Sequence, residues 1–300
     1  MIDQLIPWEH QVAPALTLRG LHSEPGPRPL LHFLHGNGFC GLVYKPLLEQ
    51  LGQDFDLFLS DAQGHGKSDV GEQFVGWNRC ADYAIEVLDA HRQRWPDQPV
   101  YGVGHSFGGV LTLLMAAKRP DLFDRVVLLD PVLFSRAMIG VMALSDVVGL
   151  HSRNSMATRA RQRQAHWQSR EIAWEYFHER GIFKGWHVQS LAAYIDHALK
   201  PASDGSLSLR CPPSREAEIF SSFPRGLWTA VGAVKVPITI IYGSKTYPFV
   251  PKSAQAARRK NRFIDCVEVP GGHCFMQQHP EDTARLVRET LVSQPACVAS

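Results

Sequence analysis

Long apolar runs are missing from this 300-residue chain. No stretch approaches the roughly 18 uninterrupted apolar residues that a membrane-spanning helix requires. The first residues, MIDQLIPWEHQ, include Asp3 and Glu9 and contain no apolar core behind a basic start, so they do not resemble a secretory signal. These absences predict a soluble protein with a cytoplasmic location and no membrane partner.

Paired cysteines are missing as well. The six cysteines stand at positions 40, 80, 211, 266, 274 and 296, and none forms a C-x-x-C pair. Neither a zinc site nor a redox dithiol is therefore indicated, and we expect no metal and no organic cofactor. Cys40 and Cys274 lie beside segments with candidate catalytic residues, and we interpret them as small packing side chains.

The chain also lacks an excess of one charge. Its 31 Lys and Arg residues nearly balance 29 Asp and Glu residues, which gives a formal net charge of +2. Nucleic-acid binding requires a concentrated basic surface, so we expect no nucleic-acid partner. The length allows one large domain or a domain with an inserted subdomain, and it leaves a homo-oligomer open.

Short apolar runs that end in Gly or Asp alternate with helical patterns along both flanks of the chain. This alternation is typical of a mostly parallel central sheet flanked by helices, which is an α/β fold. Helical periodicity is clear where Ala81, Ala84, Ile85 and Leu88 recur at spacings of three and four residues. The predicted strands cover residues 30–34, 55–60, 99–103, 126–129, 237–242 and 264–269.

One connection is far longer than a crossover between strands requires. About a hundred residues separate Asp130 from Pro237, and much of this stretch has a helical pattern. We therefore predict a core domain made of residues 1–130 and 231–300. Residues 131–230 are predicted to form an inserted, mostly helical lid (cap) over the carboxyl edge of the sheet.

The segment G-H-S-F-G at residues 104–108 contains the candidate nucleophile. It follows a predicted strand and opens a predicted helix, which is the context that a G-x-S-x-G nucleophile turn requires. Ser106 must then adopt a strained conformation, and Gly104 and Gly108 have no Cβ to collide with the neighbouring chain. The pattern predicts that Ser106 is a nucleophile.

The segment H-G-N-G at residues 35–38 follows the first strong strand, where a loop can fold over the nucleophile. A backbone N–H of Asn37 or Gly38 would pair with that of Phe107 to bind the oxyanion of a reacting carbonyl group. Each such donor typically contributes ~3–4 kcal/mol of transition-state stabilisation. We predict an oxyanion hole at these residues.

The order of these motifs resembles the α/β-hydrolase superfamily, in its lidded serine hydrolase or esterase type. The motifs are H-G-N-G at 35–38, D-A-Q-G-H-G-K-S at 61–68, G-H-S-F-G-G at 104–109 and G-G-H at 271–273. The resemblance covers residues 28–130 and 236–292 and does not extend to the predicted lid. It implies the α/β-hydrolase fold and a nucleophilic mechanism, and it says little about the substrate. The 61–68 loop is interpreted as structural.

The candidate general base is His273, on a Gly-rich loop after the last predicted strand. A neutral imidazole there can accept the proton of the serine hydroxyl across the carboxyl edge of the sheet. His279 is the nearby competitor, but it precedes Pro280 at a predicted helix start and is interpreted as structural.

The acid departs from the common pattern of the family. Its usual position follows the strand at 237–242, but the loop there reads GSKTYPFVP and has Thr246 where an Asp is expected. A second placement, known in one subgroup of haloalkane dehalogenases, follows the strand after the nucleophile's helix, where this chain has Asp130. The resemblance implies that Asp130 is the acid, in the chain order Ser, Asp, His. Its alternative role is to cap the turn before Pro131.

These residues predict a serine hydrolase that cleaves a carboxylic ester or thioester through an acyl-enzyme. One alternative is a hydrolase of carbon–carbon bonds with the same three residues, and another is a ligand-sensing protein that kept the fold. Haloalkane dehalogenase and epoxide hydrolase activities are disfavoured, because they require a carboxylate nucleophile and position 106 is serine.

Aromatic side chains of the predicted lid are candidates for an apolar pocket above Ser106. Such a pocket would suit a small ester-like substrate with an apolar acyl or aryl group, whereas the alternative is that these rings only hold the lid together. Arginines at 153, 159, 161, 163 and 170 would either bind an anionic group or form a solvated face. The pocket candidates are Phe134, Trp167, Trp174, Phe177 and Trp186.

Overall fold

Strands and helices alternate along the chain. The computed structural model describes residues 2–147 and 154–292. The strands are β1 (Ile6–Ala13), β2 (Leu16–His22), β3 (Leu30–Leu34), β4 (Asp56–Asp61), β5 (Val100–His105), β6 (Arg125–Leu129), β7 (His166–Trp167), β8 (Leu199–Pro201), β9 (Leu207–Leu209), β10 (Ile238–Gly243) and β11 (Ile264–Val269). The helices are α1 (Lys45–Leu51), α2 (Trp77–Arg92), α3 (Phe107–Lys118), α4 (Arg136–Val147), α5 (Ser155–Gln162), α6 (Arg170–Phe177), α7 (Val188–Ala198), α8 (Pro213–Phe220), α9 (Leu227–Ala233), α10 (Phe249–Lys260), α11 (Phe275–Gln278) and α12 (Pro280–Val292).

The central sheet has the strand order β1-β2-β4-β3-β5-β6-β10-β11. The pairs from β4 to β11 are parallel, whereas β1 pairs with β2 and β2 with β4 in antiparallel fashion. All six strands predicted from the sequence are present, within one or two residues of the expected bounds. The hairpin of β1 and β2 was not predicted, and it extends the sheet at one edge.

The apolar runs are continuous because both faces of the sheet are covered. All five residues of β3 are buried. Leu30 and Leu34 pack in the cluster that includes α2, α3, α9 and α10, whereas Leu31 and Phe33 face the cluster that includes α1 and α12. Successive side chains of a strand point to opposite faces, so a strand between two layers is mostly apolar, and the one polar residue of β3, His32, is hydrogen-bonded to Ser60 at 3.0 Å.

The chain between β6 and β10 forms an insertion, here defined as residues 131–230. Its described part contains helices and a three-stranded antiparallel sheet in the order β7-β9-β8, which the sequence pattern did not predict. Helix α9 spans the predicted boundary at residue 230, and its Leu227 and Val231 pack in the core cluster. The division into a core domain and a lid stays a prediction.

Contacts with the insertion occur at loops that follow the carboxyl ends of the strands. After β3, the Asn37 side-chain amide donates to the Glu216 carbonyl at 3.1 Å. After β4, the Val70 carbonyl accepts from the Arg215 guanidinium at 2.8 Å. After β11, the Gln277 carbonyl accepts the backbone N–H of residue 187 at 2.9 Å. The insertion therefore contacts segments that follow the carboxyl ends of β3, β4 and β11, the edge at which open α/β sheets bind ligands.

Across residues 2–147 and 154–292, no helix is both long enough and apolar enough to span a bilayer. The cytoplasmic location stays a prediction.

Candidate active site

The turn between β5 and α3 holds Ser106 in a rare backbone conformation. Ser106 has φ 54°, and its N–H donates to the Leu129 carbonyl at 3.0 Å. A Cβ on Gly104 would lie 2.5 Å from the Gly108 carbonyl oxygen, and one on Gly108 would lie 2.3 Å from the Leu34 carbonyl oxygen. Only glycine fits at these two positions, and the strained serine lies at the carboxyl edge of the sheet.

Three side chains that are far apart in the sequence meet in one chain of hydrogen bonds. His273 Nε2 lies 2.9 Å from Ser106 Oγ, and His273 Nδ1 lies 2.6 Å from Asp130 Oδ2. The Asp130 side chain is completely buried, and the His273 side chain is 15% exposed. A carboxylate at Nδ1 fixes the tautomer with its proton there, so Nε2 is free to accept the serine proton.

The Asp130 carboxylate accepts hydrogen bonds from two groups besides His273. Its Oδ1 accepts the Gly243 N–H at 2.8 Å, and the backbone N–H of Asp130 fixes the residue by donating to the Ile241 carbonyl at 2.7 Å. The Thr246 hydroxyl donates to Oδ2, the same oxygen that contacts His273. Thr246 stands at the position where the family usually has its acid. It therefore donates to the carboxylate of Asp130, which follows β6.

The two predicted oxyanion alternatives, Asn37 and Gly38, differ in whether their N–H group is already hydrogen-bonded. The Gly38 N–H is already donated to His65 Nε2 at 3.0 Å, so Gly38 is not free to bind an oxyanion. Within residues 2–147 and 154–292, the N–H groups of Asn37 and Phe107 have no hydrogen-bond acceptor. Phe107 begins the twelve-residue helix α3, where the first N–H groups are free to bind negative charge. Asn37 is held in turn through its side chain by Glu216.

A buried relay joins the loops that carry these groups. The Gly36 N–H donates to Tyr44 Oη at 3.0 Å, and the Tyr44 hydroxyl lies 2.6 Å from His105 Nδ1. His105 Nε2 lies 3.1 Å from the carbonyl oxygen of His273. Burial lowers the pKa of His105 well below its usual value, so its ring is neutral, with Nδ1 accepting from Tyr44 and Nε2 donating to His273. The relay links the oxyanion loop, the nucleophile turn and the loop of the base.

Two further buried histidines support the loops around this relay. Burial lowers the pKa of His65 and that of His35, so both rings are neutral. His65 Nδ1 lies 3.0 Å from the Gln63 carbonyl while its Nε2 accepts from the H-G-N-G loop. Asp61 accepts the Gly41 N–H at 2.8 Å. These contacts agree with a structural interpretation of the 61–68 loop.

Three of the predicted pocket aromatics lie in a buried cluster of the insertion. Trp167 contacts Phe177 at a centroid distance of 4.9 Å, and Phe177 contacts Phe183 at 4.8 Å and Tyr194 at 5.0 Å. Trp186 contacts Phe183 at 4.8 Å. Trp167 and Phe177 are each 2% exposed and Trp186 is 7% exposed. These rings hold the insertion together, which is the alternative that the sequence left open.

The other two pocket candidates lie in different surroundings. Trp174 is half-buried and contacts the ring of residue 178. Phe134 packs against a different core cluster from that of Trp167, Phe177 and Trp186, and it contacts Trp77 at 5.9 Å and Phe249 at 6.0 Å. Tyr247 contacts the His273 ring at 4.7 Å. Sequence reasoning missed Tyr247 and Phe249, although their position after the strand β10 was a usable signal.

The arginines of the insertion are mostly engaged by the protein itself. Arg163 donates to Glu216 at 2.6 Å and to the Tyr194 hydroxyl at 3.0 Å. Arg170 pairs with an aspartate of α7 at 2.6 Å. Arg153 lies outside the described residues. Anion binding by this group of side chains stays a prediction, and Arg163 and Arg170 are poor candidates for it.

Two buried thiols adjoin this site. Cys40 and Cys274 are buried, and burial raises the pKa of both thiols, so they are protonated at neutral pH. In the part of the chain that the structure describes, no three His, Cys, Asp or Glu side chains come together to hold a metal ion. The expected absence of a cofactor stays a prediction.

Comparison with known proteins identifies relatives of this chain. A protein-family model described as the alpha/beta hydrolase family matches residues 33–286. A monoglyceride lipase of Mus musculus is 35% identical over 117 residues, which are 36% of this chain and 37% of the relative. The esterase Rv0045c of Mycobacterium tuberculosis is 24% identical over 275 residues, which are 89% of this chain and 84% of the relative. The chain thus matches only about a third of the length of the monoglyceride lipases.

A solved structure confirms the fold predicted from the sequence. The crystal structure of E-2-(acetamidomethylene)succinate hydrolase superposes with a TM-score of 0.77 at 21% identity. The superposition covers 96% of this chain and 100% of that chain. At this identity the likeness concerns the fold alone.

Proposed function

Because the chain belongs to the alpha/beta hydrolase family, we propose that it is a serine hydrolase that cleaves a carboxylic ester or thioester. Ser106 is the nucleophile, His273 the general base and Asp130 the acid. The observation that carries the proposal is the continuous hydrogen-bond chain from Ser106 Oγ through both ring nitrogens of His273 to Asp130.

Proton transfer follows from the direction of these hydrogen bonds. His273 Nε2 accepts the hydroxyl proton while Ser106 Oγ attacks the carbonyl carbon. The buried Asp130 carboxylate keeps the other proton on Nδ1 and stabilises the imidazolium that forms. His273 then gives its Nε2 proton to the leaving alcohol or thiol. In the second half of the reaction, His273 accepts a proton from the water that attacks the acyl-enzyme and returns it to Ser106 Oγ as the acid departs.

The oxyanion that forms during attack requires donors that are free beforehand. We assign this role to the backbone N–H groups of Asn37 and Phe107, which lie on the loop after β3 and at the start of α3. Both groups lack a protein acceptor within the described residues, which supports the assignment. Each is expected to contribute ~3–4 kcal/mol to transition-state stabilisation.

The insertion is proposed to act as a lid. It contacts the loops after β3, β4 and β11, all of which surround the carboxyl edge where Ser106 lies. A cover at this edge excludes water from the reacting carbonyl group and strengthens the hydrogen bonds to the developing charge. Both relatives named above, a monoglyceride lipase and an esterase, carry names that agree with an ester substrate.

The test is covalent labelling combined with ester turnover. A fluorophosphonate probe is expected to label the wild-type protein and not Ser106→Ala. Turnover of p-nitrophenyl butyrate is expected to fall by about 10⁴-fold in His273→Ala and in Asp130→Asn. His279→Ala is the matched control, because this neighbouring histidine contacts no triad residue, and it should retain wild-type turnover.

Two results would contradict the proposal. Labelling that persists in Ser106→Ala would assign the nucleophile to another residue. Turnover of a β-diketone in place of esters, with cleavage of its carbon–carbon bond and loss in Ser106→Ala, would move the chain to the alternative reaction with the same residues.

A further inference from the structure

Aromatic rings form a continuous row that links Phe107 to His273. The row begins at Phe107, the chain neighbour of the nucleophile, and ends at the base His273. Its consecutive centroid distances are 4.7, 5.9, 6.0, 6.0 and 4.7 Å. In order along the row, the rings are Phe107, Trp77, Phe134, Phe249, Tyr247 and His273.

The rings of this row differ in exposure. Phe107 and Trp77 are buried, at 1% and 3% exposure. Phe134, Phe249 and Tyr247 are only half-buried, so each keeps part of its surface open. The open part of the row therefore lies at the end that touches His273.

Neighbouring open rings are nearly parallel. Tyr247 and Phe249 are tilted by 9° relative to each other, and Phe249 and Phe134 by 22°. Near-parallel neighbouring rings suit a planar group that stacks with an offset on the same wall. Burial raises the pKa of Tyr247 to about 12, so this ring carries no charge at neutral pH.

The position of the row relative to His273 determines which part of a substrate it meets. The leaving-group oxygen or sulfur must come within hydrogen-bond reach of His273 Nε2 to receive its proton. Its substituent therefore lies beside the rings that contact His273. His105 is one of them at 4.9 Å, but it is 1% exposed and both of its nitrogens are hydrogen-bonded. Tyr247 is the half-exposed neighbour of the base.

We propose that Tyr247 and Phe249 bind the leaving group of the substrate, and that this group is an aromatic alcohol or thiol. The inference rests on the proposed serine hydrolase function and adds a substrate class to it. One predicted pocket residue of the insertion, Phe134, belongs to this wall. The other two rings come from the loop after β10 and from the first residue of α10, which were not among the predicted pocket residues.

The experiment compares acetate esters that share one acyl group and differ in the alcohol. The wild type is expected to hydrolyse benzyl acetate with a kcat/KM about tenfold higher than ethyl acetate. Tyr247→Leu and Phe249→Leu should remove most of this preference, measured as the ratio of kcat/KM for benzyl acetate to that for ethyl acetate, through a higher KM for benzyl acetate. Tyr247→Phe keeps the ring and should keep the preference.

The controls separate this wall from aromatic residues in general. Phe263→Ala removes a half-buried ring at the start of β11, outside the row, and should leave the preference intact. The ratio of ethyl benzoate to ethyl acetate turnover tests the acyl side, and it should not change in Tyr247→Leu or Phe249→Leu. Leucine retains apolar volume at both positions, so these variants are expected to fold.

The outcomes for this inference and for the proposed function are distinct. If Ser106-dependent hydrolysis is present but both leucine variants keep the benzyl preference, the leaving-group assignment is overturned while the hydrolase function stands. A changed acyl preference in place of the alcohol preference would also overturn it, since the row would then bind the acyl group. Absence of Ser106-dependent turnover of every ester would overturn the function and the inference together.

Discussion

Replacing Thr246 by valine removes one hydroxyl group and little volume. That hydroxyl donates to Asp130 Oδ2, the oxygen that also accepts the His273 Nδ1–H. Valine cannot donate, so the carboxylate loses one of its donors while its burial and its packing change little. If Asp130 orients and stabilises the imidazolium, the loss must appear in catalysis.

The expected size follows from the donors that are left. A hydrogen bond to a charged group contributes about 1.5–3 kcal/mol. The Gly243 N–H still holds Asp130 Oδ1 at 2.8 Å, so the carboxylate keeps its place and the loss should lie at the lower end. About 1.5 kcal/mol corresponds to a roughly tenfold lower kcat. Thr246→Ser retains the hydroxyl and should behave like the wild type.

A double-mutant cycle shows whether Thr246 acts through Asp130. Turnover of p-nitrophenyl butyrate is measured for Thr246→Val, Asp130→Asn and the double variant. Asp130→Asn alone should cost about 10⁴-fold. The valine change should cost far less in the asparagine background than in the wild type, because the charged acceptor is gone. An equal loss in both backgrounds, or no loss in the wild type, would refute the reasoning.

Three further predictions concern buried groups around the site. Tyr44→Phe leaves His105 Nδ1 without its donor. In steady-state assays kcat should fall several-fold while KM stays near the wild-type value, and an unchanged kcat would argue against the relay. Gly36→Ala would bring a Cβ within 2.7 Å of His105 Nδ1, so a lower melting temperature and lower turnover are expected in thermal scans and ester assays. Burial lowers the pKa of His32 from 6.5 to about 3, so the unfolded chain binds this proton more readily than the folded chain. The free energy of unfolding should therefore decrease as the pH falls from about 6.5 towards 3. Urea titrations should show a weaker pH dependence in His32→Gln, and an identical slope would contradict the assignment.

The fold was largely predictable because its core strands carry a pattern that few other structures share. The run at residues 126–129 is apolar at every position and the run at 30–34 is apolar except for the buried His32, a pattern that a sheet covered on both faces requires. The hairpin of β1 and β2 was not predicted, since its strands contain polar residues and depend on pairing with β4. The small sheet of the insertion was missed because its strands are two or three residues long, too short for a periodic pattern.

The candidate site was predictable where a motif fixes the backbone. Ser106, His273 and Asp130 lie at turns after strands, and the structure brings their side chains into contact as expected. The choice between Asn37 and Gly38 could not be made, because it depends on a hydrogen bond to His65 from a loop 27 residues away. The choice among the aromatic residues could not be made from the sequence, because a ring that lines a pocket and a ring that fills a core have the same sequence signature.

The proposed mechanism depends above all on Ser106 as the nucleophile, and detection of the acyl-enzyme tests this role most directly. Wild-type protein mixed rapidly with p-nitrophenyl acetate should release a burst of p-nitrophenol, and mass spectrometry of the quenched sample should find one acetyl group on the peptide that contains Ser106. Ser106→Ala should show neither signal. An acetyl group on another residue, or a burst that survives in Ser106→Ala, would contradict the account.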